Sequence, residues 1–277
     1  MFLKRLNKAI HLIANYICKY RGKPFADIFG GIVDKFHRNI NNENFNIEQN
    51  GELRILKIMT HFSPKCVFDV GANVGEWSKT ISRQYPKCVV HAFEIVSSTY
   101  NELVNNTKDL KNVITNNFGL SNEEGVIAIS LGRESSTATG CKIESMKFHD
   151  QYYNREIKCE IRKASDYLKE RAIQVIDLLK IDVEGMDLKV IKGFGDQIKK
   201  VRVIQFEYGI FNIASHDLLY DYCRYFKQNG FIVGKIFPNY VYFFEYHFNM
   251  ENFYGSNYLA VRNDEKEIIK KLSQFGA

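Results

Sequence analysis

The string Phe68-Asp69-Val70-Gly71-Ala72-Asn73-Val74-Gly75-Glu76-Trp77 combines an acid near the end of an apolar run, two glycines four residues apart and an immediate helix start. Glycines at such a bend let the backbone pass close beneath a ligand, and the first amides of the next helix lack intrahelical partners. A dinucleotide enzyme would place a pyrophosphate on those amides. A carboxylate before the loop suits a polyanion badly and a cationic amino-acid group well, such as that of S-adenosylmethionine. The spacing also departs from G-x-G-x-x-G, with Asn73 between the glycines. Glu94 follows 19 residues beyond Gly75, at the end of the next apolar run, where a carboxylate can accept from both hydroxyls of a ribose. Asp69, Gly71, Ala72, Asn73, Gly75 and Glu94 are therefore expected to bind an adenosyl cofactor without a phosphate. A glycine turn beside an unrelated exposed glutamate is the plainer alternative.

A second constellation is Lys180-Ile181-Asp182-Val183-Glu184-Gly185. On a strand, residues two apart share a face, so Lys180, Asp182 and Glu184 point the same way. An S-adenosylmethionine cofactor would present a methyl group on a sulfonium, whose transfer is an in-line displacement that needs alignment and, at most, deprotonation of the attacking group. Asp182 or Glu184 is then the general base or the hook for that group, with Lys180 steadying the pair. The competing reading is a structural Lys180–Glu184 ion pair. Glu207, in FEYG, is a candidate for shaping the acceptor site or, equally, a capping carboxylate. Ser135, Ser136 and Thr137 are candidates for contacting the cofactor's carboxylate or adenine, or else belong to a solvated loop. The seven histidines show no metal-ligand spacing, and His91, inside an apolar run, reads as a core residue. No metal is expected, although Asp182 and Glu184 leave Mg²⁺ open as an assistant.

These residues resemble the seven-stranded S-adenosylmethionine-dependent methyltransferases, and within them the FkbM-type family. LLKIDVEGMDLKVIKGF is similar to that family's most recognisable block in pairing Lys180, Asp182, Glu184, Gly185 and Gly193, and NNFGLSNEEG resembles its segment after the third strand. The resemblance runs from about residue 65 to 245, adds Asn117 to the cofactor set, and has Gly119 where a small residue such as Ala is expected. It implies an O-methyltransferase acting on a hydroxyl of a sugar, glycan or other small molecule. Two alternatives stay open: an NAD-dependent oxidoreductase, which shares the strand, glycine loop and acid, and a non-catalytic S-adenosylmethionine-binding protein.

The elements that must position these groups alternate. Strands are expected at 65–70, 88–94, 113–120, 175–182 and 201–208, helices at 75–85 and 97–107, then a helix at 215–229 and strands near 231–236, 240–245 and 257–262. This order predicts a Rossmann-like α/β fold with a class I methyltransferase sheet of seven strands, its ligands at the carboxyl ends. GVIAISL reads as a hairpin arm. Residues 132–155 read as an irregular, substrate-facing insertion whose Phe148, Tyr152 and Tyr153 suit a sugar face.

Residues 1–50 are expected to be a helical extension and 51–277 the methyltransferase domain. The apolar positions between 2 and 20 recur at three- and four-residue spacings, which predicts an amphipathic helix. It is expected either to pack on the main domain or a second subunit, as in a homo-oligomer, or to lie on an anionic membrane surface. The net charge of +6 is concentrated there: the first 24 residues hold six Lys or Arg and no acid, leaving 32 bases against 32 acids. A neutral body argues against nucleic acid as a partner. Scattered cysteines without C-x-x-C pairs, and the absence of a spanning or cleavable leader pattern, predict free thiols and a cytoplasmic protein, peripheral on the membrane's inner face in the second case.

Overall fold

The computed structural model describes residues 2–133 and 137–275 and divides into two compact units, Met1–Asn44 and Phe45–Ala277. The division falls six residues before the boundary expected at 50. Ile47 already packs with the core of the second unit, and Phe45 lies under Gly255.

The first unit is a helical hairpin, α1 (Phe2–Lys19) and α2 (Pro24–Ile40). Pro24 opens α2, where a missing N–H costs nothing. Tyr16, Tyr20 and Phe25 cluster at the bend, with ring centroids 4.8 to 6.4 Å apart.

In the second unit, α3 (Glu52–Thr60) precedes β1 (Cys66–Val70), α4 (Glu76–Gln84), β2 (Val89–Phe93), α5 (Ser97–Thr107) and β3 (Val113–Asn116). A second sheet follows, of β4 (Gly119–Ser121), β5 (Gly125–Leu131), β6 (Ala138–Thr139) and β7 (Arg155–Lys163), with α6 (Lys147–Tyr152) between the last two. The main sheet resumes through α7 (Ala164–Glu170), β8 (Ile176–Ile181), α8 (Asp187–Gly193), β9 (Val201–Tyr208), α9 (Asn212–Ser215), α10 (Leu219–Gln228), β10 (Phe231–Phe237), β11 (Tyr240–Phe243), β12 (Ser256–Arg262) and α11 (Lys266–Ser273).

The main sheet has eight strands in the order β11-β10-β12-β9-β8-β1-β2-β3, parallel from β9 to β3, with β12 antiparallel to both β9 and β10. The eighth strand is β11, a hairpin partner of β10. Central strands covered on both faces read as unbroken apolar runs, and every residue of β8 is buried. Phe68, Leu179 and Ile204 point into one core layer, Val67, Leu178 and Val203 into the other.

Three expectations are corrected. The single strand at 113–120 is two strands in different sheets. The chain bends at Asn116 and Asn117, whose amides donate to the carbonyls of Ala92 and Glu94 at 3.1 and 2.9 Å. The helix at 215–229 is broken at His216 (φ +58), and α10 restarts where Asp221 accepts from the amide of Leu218. The insertion is not irregular throughout. β7 pairs with β5 over seven residue pairs and with β4 in parallel, so the hairpin arm is the middle of a sheet. All six cysteines are free.

Candidate active site

A cavity of about 440 Å³ lies between the carboxyl ends of β1, β2 and β8 and the small sheet. Ile127, Ile129 and Ile161 of the small sheet face it, a flat apolar wall that periodicity alone did not assign to the site. Among the described residues lining it are four acids, Glu76, Glu94, Asp182 and Glu184, and one base, Lys180.

Gly71, Ala72 and Asn73 line the cavity as expected, but the reason for the glycines differs. Gly71 has φ +83, and a Cβ on it would lie 1.9 Å from the carbonyl oxygen of Asp182. It is there so that two loops can touch. Gly75 lies off the wall, and a Cβ there would meet Leu103 of α5 at 2.6 Å. Nor are the loop amides free. Those of Gly71 and Ala72 donate to the carbonyl of Phe93, that of Asn73 to Glu94 Oε2 at 2.9 Å, that of Val74 to Asn73 Oδ1, and that of Gly75 to Ala72. A loop whose amides are already engaged has none left for a phosphate.

Glu94 is on the wall, and Oε1 accepts from the amide of Val96 at 2.8 Å. Burial pushes its pKa up to about 7, against the downward pull of the Val96 and Asn73 amides. Asn117 is not on the wall. It bonds the Glu94 carbonyl and Ser97 Oγ, and so holds the backbone that carries Glu94.

Asp69 does not reach the cavity either. It is fully buried beneath the loop, where Oδ2 accepts from Ser78 Oγ at 2.6 Å and Oδ1 faces only the Lys180 ammonium at 4.0 Å. The sheet register explains the pairing, since Asp69 lies opposite Lys180, and Lys180 opposite Gln205. Burial raises the Asp69 pKa although Lys180 and Ser78 pull it down. Burial also works to strip Lys180 of its proton, but Asp182, Asp69 and Glu52 outweigh it and keep the ammonium charged.

Lys180 therefore pairs with Asp182, Nζ donating to Oδ2 at 2.9 Å, and not with Glu184. Glu184 sits at φ +52 beside Gly185 at φ +93, where a Cβ would strike Phe211 at 2.8 Å. A non-glycine residue in the left-handed region costs about 1–3 kcal/mol and is held only by its surroundings. Here Thr139 Oγ1, from the small sheet, donates to the Glu184 carbonyl at 2.9 Å. Burial first, then Asp182 and Asp187, push the Glu184 pKa up to about 8. Glu207 lies off the cavity wall but close enough to this cluster that burial, Asp182 and Glu184 hold its pKa well above the ordinary range.

Two residues that hold the candidate site in place had not been singled out in the sequence. Asp187, fully buried, accepts from the Glu207 amide at 3.0 Å and so ties β9 to the acid loop; burial pushes its pKa up to about 7. An acid three residues after Glu184, opening a helix, was its visible signal. Thr139 had none, because its partner is 45 residues away. Thr137 lines the cavity, whereas Ser135 and Ser136 lie outside the described residues. Tyr153 is buried, its ring 6.0 Å from Phe211, while Phe148 is exposed and stacks on Tyr152. His91 is buried, its Nδ1 2.8 Å from the Tyr167 hydroxyl. No group of three or more metal-ligating side chains is assembled among the described residues.

A mostly parallel sheet flanked by helices, a reversed strand inserted between β9 and β10, a tight loop after β1 and an acid after β2 define the Rossmann-like fold of class I methyltransferases. The methyltransferase FkbM domain model matches residues 69–276, from the buried aspartate to beyond α11, and the chain belongs to that family. Methyltransferase 1 of Beauveria bassiana is 26% identical over 146 residues, covering 47% of this chain and 59% of that protein. The 31-O-demethyl-FK506 methyltransferase FkbM of Streptomyces tacrolimicus is 26% identical over 154 residues, covering 47% and 59%. The chain thus spans under two thirds of the length of these relatives. A crystal structure of methyltransferase FkbM from Methylobacillus flagellatus aligns at a TM-score of 0.45 with 13% identity, covering 72% of this chain and 44% of the other.

Proposed function

We propose that this chain is an S-adenosylmethionine-dependent O-methyltransferase whose acceptor is a hydroxyl of a sugar, glycan or other small molecule. The observation that carries the reading is the loop after β1, whose amides from Gly71 to Gly75 are all bonded within the protein, beside Glu94 on the cavity wall. Such a loop offers no free amide to a pyrophosphate, which weighs against a nicotinamide cofactor, while Glu94 suits a ribose diol. The residues fit the adenosyl cofactor: the isoleucines of the small sheet suit the adenine, and Glu94 the ribose diol. When bound, the cofactor supplies an electrophilic methyl group.

The protein's own part is alignment and proton handling. Asp182, with Oδ2 on Lys180, has Oδ1 available to orient and accept from an attacking hydroxyl. Glu184, its pKa near 8, is mostly protonated at neutral pH and so is a hydrogen-bond donor there. The buried Lys180 ammonium holds the charge of Asp182 in place, so the strand end need not reorganise as the proton moves. The 31-O-demethyl-FK506 methyltransferase is named for an oxygen acceptor, which is consistent with a hydroxyl here.

Asp182→Asn tests the assignment. Turnover with a hydroxylated acceptor should fall by about 10²–10⁴, with S-adenosylhomocysteine affinity within threefold of wild type by calorimetry. Equal loss of turnover and affinity would sink the catalytic role. Thermal stabilisation by NAD and not by S-adenosylhomocysteine would overturn the cofactor reading.

A further inference from the structure

The hairpin of α1 and α2 carries an apolar surface that the enzyme reading leaves unused. In α2, Phe25, Ile28, Phe29, Ile32, Val33, Phe36 and Ile40 recur at three- and four-residue steps along one face, and all are exposed, Phe36 and Ile40 by 66% and 73%. In α1, Leu6, Ile10 and Ile13 form a matching exposed stripe. Helices of a globular protein bury such stripes, and an exposed apolar face of this extent marks a docking surface.

Charge selects the occupant. Lys4, Arg5, Lys8, Lys19, Arg21 and Lys23 are the charged residues of the first 24, with no acid among them. Lys4, Arg5, Lys8 and Lys19 are exposed on the α1 helix. A second copy of the hairpin would bring the same cations together, whereas an anionic bilayer neutralises them. At the bend, Tyr16, Tyr20 and Phe25 sit beside Arg21 and Lys23, the mixture of rings and cations that favours the headgroup layer. No helix among the described residues is long and apolar enough to cross a membrane, so the geometry is that of helices lying on a surface.

We infer that residues 2–40 form a two-helix membrane-docking element, in which α2 contributes the larger apolar face and α1 the charge, and that it seats the chain on anionic lipid. The acceptor of a chain held there is one reached at that surface.

The full chain is mixed with vesicles of phosphatidylcholine alone and of equimolar phosphatidylcholine and phosphatidylglycerol, then sedimented. Binding to the anionic vesicles only, weakened by salt, is expected. Each cation contributes a factor of about five, so Lys4→Gln, Arg5→Gln, Lys8→Gln together should weaken binding roughly 100-fold. Phe29→Gln with Phe36→Gln should also release the protein although no charge is changed. Both variants should keep wild-type stabilisation by S-adenosylhomocysteine, which separates lost docking from lost folding. Failure of the wild type to sediment with anionic vesicles, equal binding to both compositions, or full binding by the α2 variant would overturn the inference. So would a concentration-dependent dimer in solution that the α2 variant dissolves, since the stripe would then be covered by a second copy.

Discussion

Removing the ammonium of Lys180 should expose the electrostatic debt beneath the cofactor loop. Lys180→Met keeps most of the aliphatic stem but leaves Asp69, fully buried, with Ser78 as its one remaining partner. Lys180 and Asp69 are 4.0 Å apart, and at an effective dielectric constant of about 20 Coulomb's law puts their attraction on the order of 4 kcal/mol. That agrees with the roughly 3–5 kcal/mol measured when one member of a buried pair is removed. The Lys180–Asp182 contact at 2.9 Å is lost as well, and water reaching the Asp182 carboxylate, 41% exposed, compensates part of that loss. A domain stable by about 5–15 kcal/mol survives this loss, so the variant should fold and be measurable. Urea unfolding followed by far-UV circular dichroism reads the change. The loss should depend on pH. Without the Lys180 ammonium to pull it down, the Asp69 folded-state pKa rises further, so the deficit is small near pH 4, grows as pH rises towards that pKa and levels off above it. Adding Asp69→Asn should restore most of the stability at neutral pH, because no buried charge then remains unpaired. A loss below about 1 kcal/mol, or no recovery in the double variant, would refute the buried-pair account.

Glu94→Gln should weaken S-adenosylhomocysteine binding about 10- to 100-fold by calorimetry, the worth of a charged hydrogen bond to a ribose. Gly71→Ala forces a side chain to 1.9 Å from the Asp182 carbonyl at φ +83, and should abolish binding and lower the melting temperature by several degrees, whereas Gly230→Ala, with open space around it, should cost only its own φ strain. The ligand-free protein should lose stability between about pH 5 and about pH 8 in chemical denaturation, since Glu94, Asp187 and Glu184 keep their protons to about 7, 7 and 8 in the folded state and release them near 4 when unfolded; a flat profile would contradict these environments. Trp77, the chain's one tryptophan, lines the cavity, so its emission should change on titration with S-adenosylhomocysteine and stay constant with NAD.

Legibility followed the range of the interaction. Strand periodicity, the glycine loop, Glu94 and the Lys180-to-Gly185 block were readable because each is a local pattern, and a parallel sheet brings the ends of its strands together. The pairing of Lys180 was readable only in part. Spacing along one strand offered both Asp182 and Glu184; Asp182 is the one bonded, Glu184 turns away at φ +52, and the neighbouring strand's Asp69 was not visible as a partner. Asp69 shows the same limit. Its position before the loop signalled a cofactor contact, yet strand alternation turned it beneath the loop, where it holds Ser78 and Lys180.

By itself the sequence determined the order of elements, the family and the concentration of positive charge at the start of the chain. The tertiary structure alone decided which acids reach the cavity. It supplied the apolar wall from a second sheet whose strands lie some 30 residues apart, and it satisfied the loop amides internally. Local periodicity encodes which way a side chain faces on its own element. Depth, hydrogen-bond partner and charge state depend on what another element places opposite, and that depends on contacts between distant residues.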